Sequence, residues 1–218
     1  MNRIYLATRS ERAGHWINAV GFVLLVLSGF NIHFAREFNV FGTFNAAVAV
    51  HNIVGIAVSM NYILWWFYAV GARRIRFYMP ERDDLVPGVI RQARFYLLGI
   101  FQGDPHPFAE EEVRKFNPLQ KWTYLGVMVV LFPIQIVTGL WLFYLIRGWQ
   151  DATSAQLRIL GITHNVFAML LTAFLLGHIY LATTGETPWA HFKMMFTGYG
   201  HAHGEVVPVD EGVSDEMA

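Results

Sequence analysis

The chain has no cysteine and few charged residues. The absence of cysteine excludes thiolate ligation of an iron–sulfur cluster, a disulfide framework and a covalent CxxCH haem site. Charged residues make up only 15% of the 218 residues, against 55% hydrophobic ones, which is the balance of a membrane protein. Basic and acidic residues number 16 each, so there is no excess of positive charge that would favour binding of nucleic acid.

Four long apolar stretches are nearly free of charged residues. A helix rises about 1.5 Å per residue, so each stretch can cross roughly 30 Å of hydrocarbon. We therefore predict an all-α membrane protein, a four-transmembrane-helix bundle in one domain (residues 1–200), followed by a flexible acidic tail (residues 201–218). The predicted helices cover about residues 13–35, 47–70, 119–146 and 159–184.

Positive charge is concentrated on one side of this predicted bundle. The amino-terminal flank and the long loop of residues 73–118 hold most of the arginines, whereas the two opposite connections hold three. The positive-inside rule then places both termini and this loop in the cytoplasm. The first apolar run is longer than the apolar region of a signal peptide, so we expect the first helix to stay in the mature chain. Residues 85–101 combine apolar positions with Arg91 and Arg94, which predicts an amphipathic interfacial helix.

Four histidines lie inside the apolar stretches: His15, His51, His164 and His178. An imidazole in a membrane span is costly and indicates a functional site. In the predicted topology His15 and His178 lie near the cytoplasmic face, and His51 and His164 lie near the outer face. The fourteen residues from His164 to His178 make about four helical turns, so both rings leave the same helix face about 21 Å apart. One helix thus contributes to two sites.

A histidine pair at each face is the arrangement that holds a haem iron between two axial imidazoles. The pattern predicts two noncovalent haem b groups, one ligated by His15 and His178 and the other by His51 and His164. Zinc fits less well, because its protein sites gather three or four ligands at one place. A histidine-box metalloenzyme also fits less well, because the chain lacks the HxxxH and HxxHH clusters of that class. A haem-free transporter or scaffold, with the histidines as proton relay or packing groups, is the open alternative, although the predicted spans lack carboxylates.

Four segments give the chain a resemblance to a known family. The segments are RAGHW at residues 12–16, VHNIVGI at 50–56, KFNPLQK at 115–121 and THNVFAMLLTAFLLGHIY at 163–180. They are similar to the cytochrome b (gamma) subunits of membrane-bound formate dehydrogenases and of thiosulfate reductase-type, quinone-linked oxidoreductases. The resemblance implies a multi-pass protein of the prokaryotic inner membrane. In that family the first-helix histidine pairs with the later histidine of the fourth helix, which is the pairing that depth predicts here.

The resemblance also implies a quinone site and partner subunits. The segment KFNPLQK is similar to one that borders a menaquinone site, so Asn117 is expected to contact the headgroup of menaquinone or another quinone, helped by Gln120 and Lys121. Taken alone, the same residues predict a helix start with Asn117 as N-cap and Pro118 in the first turn, and both interpretations can hold.

The implied partners are an iron–sulfur subunit and a catalytic oxidoreductase subunit, for which a molybdenum or tungsten pterin is a candidate cofactor. Electrons would cross the membrane between the iron–sulfur subunit and the quinone. No residue of this chain looks able to oxidise a substrate such as formate, so primary catalysis is expected in the partner. The substrate and the direction of electron flow are left open.

Overall fold

The computed structural model describes residues 3–105, 107–108, 116–148, 151–184 and 187–201. Four apolar helical stretches are long enough to cross a membrane: Arg9–His33, Phe44–Gly71, Pro118–Ile146 and Ser154–Ala182. The predicted all-α fold with four membrane-spanning helices is confirmed. In chain order, the elements are β1 (Arg3–Tyr5), α1 (Arg9–His33), α2 (Phe44–Gly71), α3 (Val86–Arg94), α4 (Ile100–Gln102), α5 (Pro118–Gly126), α6 (Phe132–Ile146), α7 (Ser154–Ala182), α8 (Ala190–Thr197) and β2 (Tyr199–His201).

Each membrane-spanning helix begins after a polar residue whose side chain caps the first turn. Thr8 accepts a hydrogen bond from the backbone N–H of Glu11 at 3.2 Å, and the Glu11 carboxylate accepts one from the backbone N–H of Thr8 at 2.9 Å. The same reciprocal arrangement starts α5 and α7, and Thr43 caps α2. Because caps fix these starts, α1 begins four residues and α7 five residues before the apolar runs that predict them.

The four spans pack as two helical hairpins. Helix α1 lies along α2 and α6 lies along α7, whereas α1 and α7 approach each other much less closely. Gly21 lets the first hairpin close tightly, because a Cβ atom at this position would lie 2.5 Å from Cγ2 of Val58. An apolar core joins the hairpins around Leu171, midway between His164 and His178 on α7. The buried members of this core are Val58, Val127, Phe132 and Leu171.

The third span contains a π-helical turn, Val127–Leu131, between α5 and α6. In this turn the backbone N–H of Phe132 donates to the carbonyl of Val127. The carbonyl of Met128 then has no backbone donor, because its next candidate is Pro133, which lacks an N–H group. The hydroxyl of Tyr62 on α2 donates to this carbonyl at 2.7 Å. A side chain of the other hairpin therefore satisfies the backbone group that the turn exposes.

The first and last described segments of the chain meet where α1 begins and α7 ends. We call this end of the bundle the terminal side and the other end the opposite side. Strand β1 pairs with β2 in an antiparallel ribbon, and the backbone N–H groups of Leu6 and Ala7 donate to the carbonyl of Gly198 at 2.9 and 3.2 Å. Trp16 stacks on Phe196 of α8 with ring centres 4.5 Å apart. Helix α8 is thereby held against the first turns of α1. Residues 202–218 of the predicted tail lie outside the described residues.

The connection between α2 and the third span contains a nearly continuous helical segment. It consists of α3, a π turn (Phe95–Gly99) and α4, and it ends at Gln102. Apolar side chains are exposed along it, with exposed fractions of 61–77% for Val86, Ile90, Leu97 and Phe101. Exposed apolar groups beside arginines are what a helix lying in a membrane surface presents to lipid.

Candidate functional site

The four predicted histidines lie in two pairs at two levels of the bundle. The rings of His15 and His178, which we call the terminal pair, have centres 6.1 Å apart. The rings of His51 and His164, the opposite pair, have centres 6.2 Å apart. Within the described part of the chain, no three His, Cys, Asp or Glu side chains gather to hold a metal ion, so a clustered zinc site has no support there.

The spacing within each pair fits an iron held between two imidazoles. Each metal–nitrogen bond is about 2 Å long, so the ring centres of such a complex are roughly 6 Å apart. Each pair also joins one helix of the first hairpin to α7, where the backbones are more widely separated than inside a hairpin. Two imidazoles on facing helices are a donor set that can hold a haem iron from both faces.

Both rings of the opposite pair have hydroxyl partners on the neighbouring helix of their own hairpin. Nδ1 of His51 lies 2.9 Å from Oγ of Ser28, and Nδ1 of His164 lies 3.1 Å from Oγ1 of Thr138. Each hydroxyl also donates to the backbone carbonyl four residues earlier in its own helix, at 2.7 Å in both cases. Nε2 of His164 lies 3.1 Å from the side-chain nitrogen of Gln135.

A glycine follows each of these hydroxyl residues and faces the same ring. A Cβ atom at Gly139 would lie only 2.9 Å from Cε1 of His164, so this ring position requires glycine. A Cβ atom at Gly29 would lie 3.6 Å from Cε1 of His51, which is an ordinary contact. The glycines that flank the ligands in sequence behave differently, since a Cβ at Gly161 would meet no described atom within 4 Å.

Aromatic rings surround the terminal pair instead. Phe174, one turn before His178, stacks on its ring at 5.8 Å, and the ring of Tyr124 lies 6.5 Å away. Trp16 contacts His15 edge-on at 5.3 Å. Nδ1 of His15 is buried and has no hydrogen-bond partner among the described residues. The two pairs therefore share ring spacing, but His15 lacks the hydroxyl partner at Nδ1 that both rings of the opposite pair have.

Charged groups pair on the terminal side, just outside the spans. Arg74 donates two hydrogen bonds to Glu11, each at 2.8 Å. Burial alone would lower the pKa of Arg74, but these bonds outweigh it and raise the pKa, so the guanidinium stays charged. Burial, reinforced by the charge of Glu11, raises the pKa of Tyr78, so this hydroxyl stays neutral.

The predicted quinone segment forms the first turn of α5. The side-chain oxygen Oδ1 of Asn117 accepts from the backbone N–H of Gln120 at 2.9 Å, and the Gln120 side chain accepts from the backbone N–H of Asn117 at 3.0 Å. The side-chain nitrogen Nδ2 of Asn117 donates to the hydroxyl of Tyr96 at 3.0 Å. Lys121 is almost fully buried and lies 2.7 Å from the carboxylate of Asp84, which is also buried. The helix-start interpretation is thus correct, and each of the three predicted residues has a partner within the protein.

The remaining described histidines belong to neither ring pair, although His191 lies close enough to His178 for an electrostatic interaction. His33 is exposed at the end of α1, and Nδ1 of His191 lies 3.3 Å from the carbonyl oxygen of Ala182. His201 belongs to β2 through its backbone. His106 and His203 lie outside the described residues.

Ser28, Thr138, Gln135 and Gly139 are site residues that the sequence reasoning missed. A polar residue in a membrane span is a functional signal, but a serine or threonine can satisfy itself on the carbonyl four residues earlier, and most do. The signal that could have identified them is the pairing of a hydroxyl residue with glycine, Ser28–Gly29 and Thr138–Gly139, once in each hairpin.

Comparison with known proteins places these features in a family. The family model described as prokaryotic cytochrome b561 matches residues 7–198. The putative cytochrome YdhU of Escherichia coli (strain K12) is 40% identical over 204 residues, which cover 92% of this chain and 76% of that protein. The cytochrome b556(Fdn) subunit of the nitrate-inducible formate dehydrogenase of the same strain is 26% identical over 177 residues, covering 79% of this chain and 74% of the relative.

The family match includes all four spans and both histidine pairs. Membership implies haem b, and the paired imidazoles supply suitable ligands for it. The resemblance to formate dehydrogenase cytochrome subunits is confirmed at the level of homology. The chain therefore belongs to the prokaryotic cytochrome b561 family, as a multi-pass inner-membrane cytochrome b that acts in electron transfer.

Proposed function

We propose that this chain is the membrane-anchoring, di-haem cytochrome b subunit of an oxidoreductase complex, and that it transfers electrons across the membrane between a partner iron–sulfur subunit and the quinone pool. The observation that supports it best is the presence of two ring pairs, at 6.1 and 6.2 Å, at two levels of one bundle. Two sites displaced by about 21 Å along α7 would let electrons traverse most of roughly 30 Å of hydrocarbon.

In this proposal His15 and His178 ligate one haem b, and His51 and His164 ligate the other. When bound, haem b supplies a one-electron redox centre inside the membrane. The chain's own residues hold and orient the rings, and the apolar core around Leu171 keeps water out between the two levels. The positive-inside bias supports a cytoplasmic terminal side and an outer opposite side.

We propose that a quinone headgroup binds where α5 begins, on the terminal side. Asn117 and Gln120 would offer hydrogen-bonding groups there, and the Lys121–Asp84 pair would place a charged group beside them. Support comes from Tyr124, which lies one turn after Lys121 on the same helix and 6.5 Å from the ring of His178. The first turn of α5 is thus within a short distance of the terminal pair.

The partner subunits follow from the relatives alone. The formate dehydrogenase cytochrome subunit is by name part of a larger enzyme. By analogy we propose an iron–sulfur subunit that docks on the opposite side, and a catalytic subunit behind it. The set of chains that co-purify with this protein, identified by mass spectrometry, tests this assignment directly. Purification of the chain without an iron–sulfur protein under mild detergent would contradict it.

An optical spectrum tests the central proposal. The reduced-minus-oxidised spectrum of the purified protein should contain the bands of low-spin b-type haem, and pyridine haemochrome analysis should give two haems per chain. One haem per chain would disprove the di-haem assignment. Absence of the bands would favour the haem-free transporter or scaffold.

The quinone proposal has its own test. Asn117→Ala should slow reoxidation of the reduced protein by a menaquinone analogue while the haem spectrum stays the same. Because this change also removes a helix cap, worth about 1 kcal/mol, Thr153→Ala serves as the matched control at the start of α7. An equal slowing in both variants would show that the effect comes from the cap and would contradict quinone contact by Asn117.

A further inference from the structure

We propose that Ser28 and Thr138 are positioning residues for the opposite pair. Each hydroxyl would fix its histidine in the tautomer that leaves Nε2 free to bind iron, and would hold the ring at a set angle. The inference rests on the proposed function, since it takes His51 and His164 to be haem ligands. It adds residues on helices that contribute no ligand to that haem.

The hydrogen-bond arrangement at Ser28 determines which ring nitrogen carries the proton. A hydroxyl has one hydrogen, and Ser28 lies 2.7 Å from the carbonyl of Leu24 and 3.2 Å from that of Leu25, which can only accept it. The oxygen of Ser28 must then accept at its other contact, so Nδ1 of His51 is the donor at 2.9 Å. The carbonyl of Leu25, which can only accept, faces the same ring. Nε2 of His51 therefore keeps its lone pair.

Thr138 gives the same result on the other hairpin. Its hydroxyl donates to the carbonyl of Ile134 at 2.7 Å, so it accepts from Nδ1 of His164 at 3.1 Å. The backbone carbonyl of Gln135 also faces this ring. The Gln135 amide nitrogen, a donor, lies 3.1 Å from Nε2, which is consistent with Nε2 as the acceptor nitrogen. Two unrelated helices thus reach the same tautomer by the same means.

The arrangement is a repeated device of two consecutive residues. In each hairpin a hydroxyl residue orients the ring and a glycine follows it: Ser28 with Gly29, and Thr138 with Gly139. Only at Gly139 does the ring need this space, since a Cβ atom there would lie 2.9 Å from Cε1 of His164. The terminal pair has no such contact at His15, whose Nδ1 is buried without a hydrogen-bond partner among the described residues. The hydroxyl contacts therefore distinguish the opposite pair from His15 of the terminal pair, so the terminal-side haem can serve as an internal control when they are removed.

A hydroxyl oxygen that accepts a hydrogen bond from Nδ1–H makes the imidazole a stronger metal ligand and raises its affinity for the metal. A stronger donor stabilises the more positively charged oxidised iron. Removal of one hydroxyl should therefore raise the midpoint potential of the opposite-side haem, and should weaken its retention by about 10-fold or more. The terminal-side haem should be unaffected.

The experiment compares Ser28→Ala and Thr138→Ala with wild type in the full-length protein. Redox titration of the haem bands and electron paramagnetic resonance of the oxidised protein report potential and ring orientation for each haem separately. We expect a raised potential and a changed low-spin signal for one haem only. Thr138→Ser, which restores the hydroxyl, should return both to wild-type values.

Ser59→Ala and Thr172→Ala are matched controls. These hydroxyls donate to the carbonyl four residues earlier at 2.7 and 2.8 Å, as Ser28 and Thr138 do, but they are not hydrogen-bonded to any described histidine. If the Ser28 and Thr138 variants behave like the controls, the proposal is overturned, and loss of both haems would overturn it too. Retention of both haems by His51→Ala and His164→Ala would instead refute the proposed function, so the two failures are distinguishable.

Discussion

The two ends of the bundle solve the same ligation problem with different chemistry. On the opposite side, hydroxyls hold the rings of His51 and His164. On the terminal side, Phe174, Tyr124 and other aromatic rings pack around the histidines. Ion pairs differ as well, because those found between described residues lie on the terminal side. The two sites are therefore equal in ring spacing and unequal in environment.

This difference shows how one bundle can create two unequal redox sites. Hydrogen bonding to a ligand favours the oxidised metal, whereas an apolar, aromatic environment disfavours the more charged state. We therefore expect the opposite-side haem to have the lower potential of the two. Such an order favours electron movement from the opposite side toward the terminal side. A quinone site near α5 would lie at the receiving end.

The largest expected effect is loss of a ligand. His51→Ala should remove one of the two haem equivalents and leave the signal of the other, and His15→Ala should remove the other one. His33→Ala, which changes an exposed histidine at the end of α1, should retain both. Haem content per chain, measured by pyridine haemochrome, checks this prediction. Two haems in either ligand variant would show that the pairs are assigned wrongly.

The next largest effect concerns the charges of the terminal side. Asp84→Ala leaves the ammonium of Lys121 buried without its 2.7 Å partner, and loss of one member of a buried pair costs about 3–5 kcal/mol. Glu81→Ala is the control, because Glu81 is exposed and 3.6 Å from Lys121, and its loss should cost less than about 1 kcal/mol. Thermal unfolding in detergent compares the two. Similar midpoints would mean that Lys121 does not depend on Asp84.

Gly139→Ala should disturb the opposite pair alone. The added methyl group would lie 2.9 Å from Cε1 of His164, and forced displacement of a packed group costs typically about 1–3 kcal/mol. The low-spin signal of the opposite-side haem should broaden or shift. Gly161→Ala, with no described atom within 4 Å of the new Cβ, should leave both haems unchanged. An unchanged signal in Gly139→Ala would show that the ring has room to move.

The smallest effect should come from the aromatic neighbours. Phe174→Leu removes the ring stacked on His178 at 5.8 Å, a contact worth about 0.5–1.5 kcal/mol, and should shift the terminal-side potential slightly. Phe67→Leu, at a position that is 74% exposed on α2, is the control. Redox titration measures both. A shift of the opposite-side haem instead would contradict the separation of the two environments.

The sequence predicts the features that depend on helical geometry. Apolar length gives the four spans, and a fourteen-residue interval on one helix puts His164 and His178 on one face. Residues at the same depth in different spans can contact one another, so depth also predicts which histidines are the partners of these two residues. The cap at Asn117 is equally local, since its hydrogen bonds reach only three residues ahead.

Features that depend on which helices are neighbours could not be predicted. The bond between Ser28 and His51 spans 23 residues and requires the hairpin to be in register. The sequence alone predicts that Lys121 helps to bind a headgroup, but its partner Asp84 is 37 residues away, beyond any local pattern. Pro133 is the one local feature that indicates the π turn. Hydropathy predicts the starts of α1 and α7 too late, because it ignores capping residues such as Thr8 and Thr153.

The π turn at Val127–Leu131 gives the third span one residue more than an α-helix would use between its two halves. One residue corresponds to about 100° of rotation, so this insertion sets the phase between the half that carries Asn117 and Tyr124 and the half that carries Thr138 and Gly139. Deletion of a single residue there would leave each half intact yet turn one of them away from its histidine. A homologue with a one-residue deletion in this span could therefore keep one redox site and lose the other.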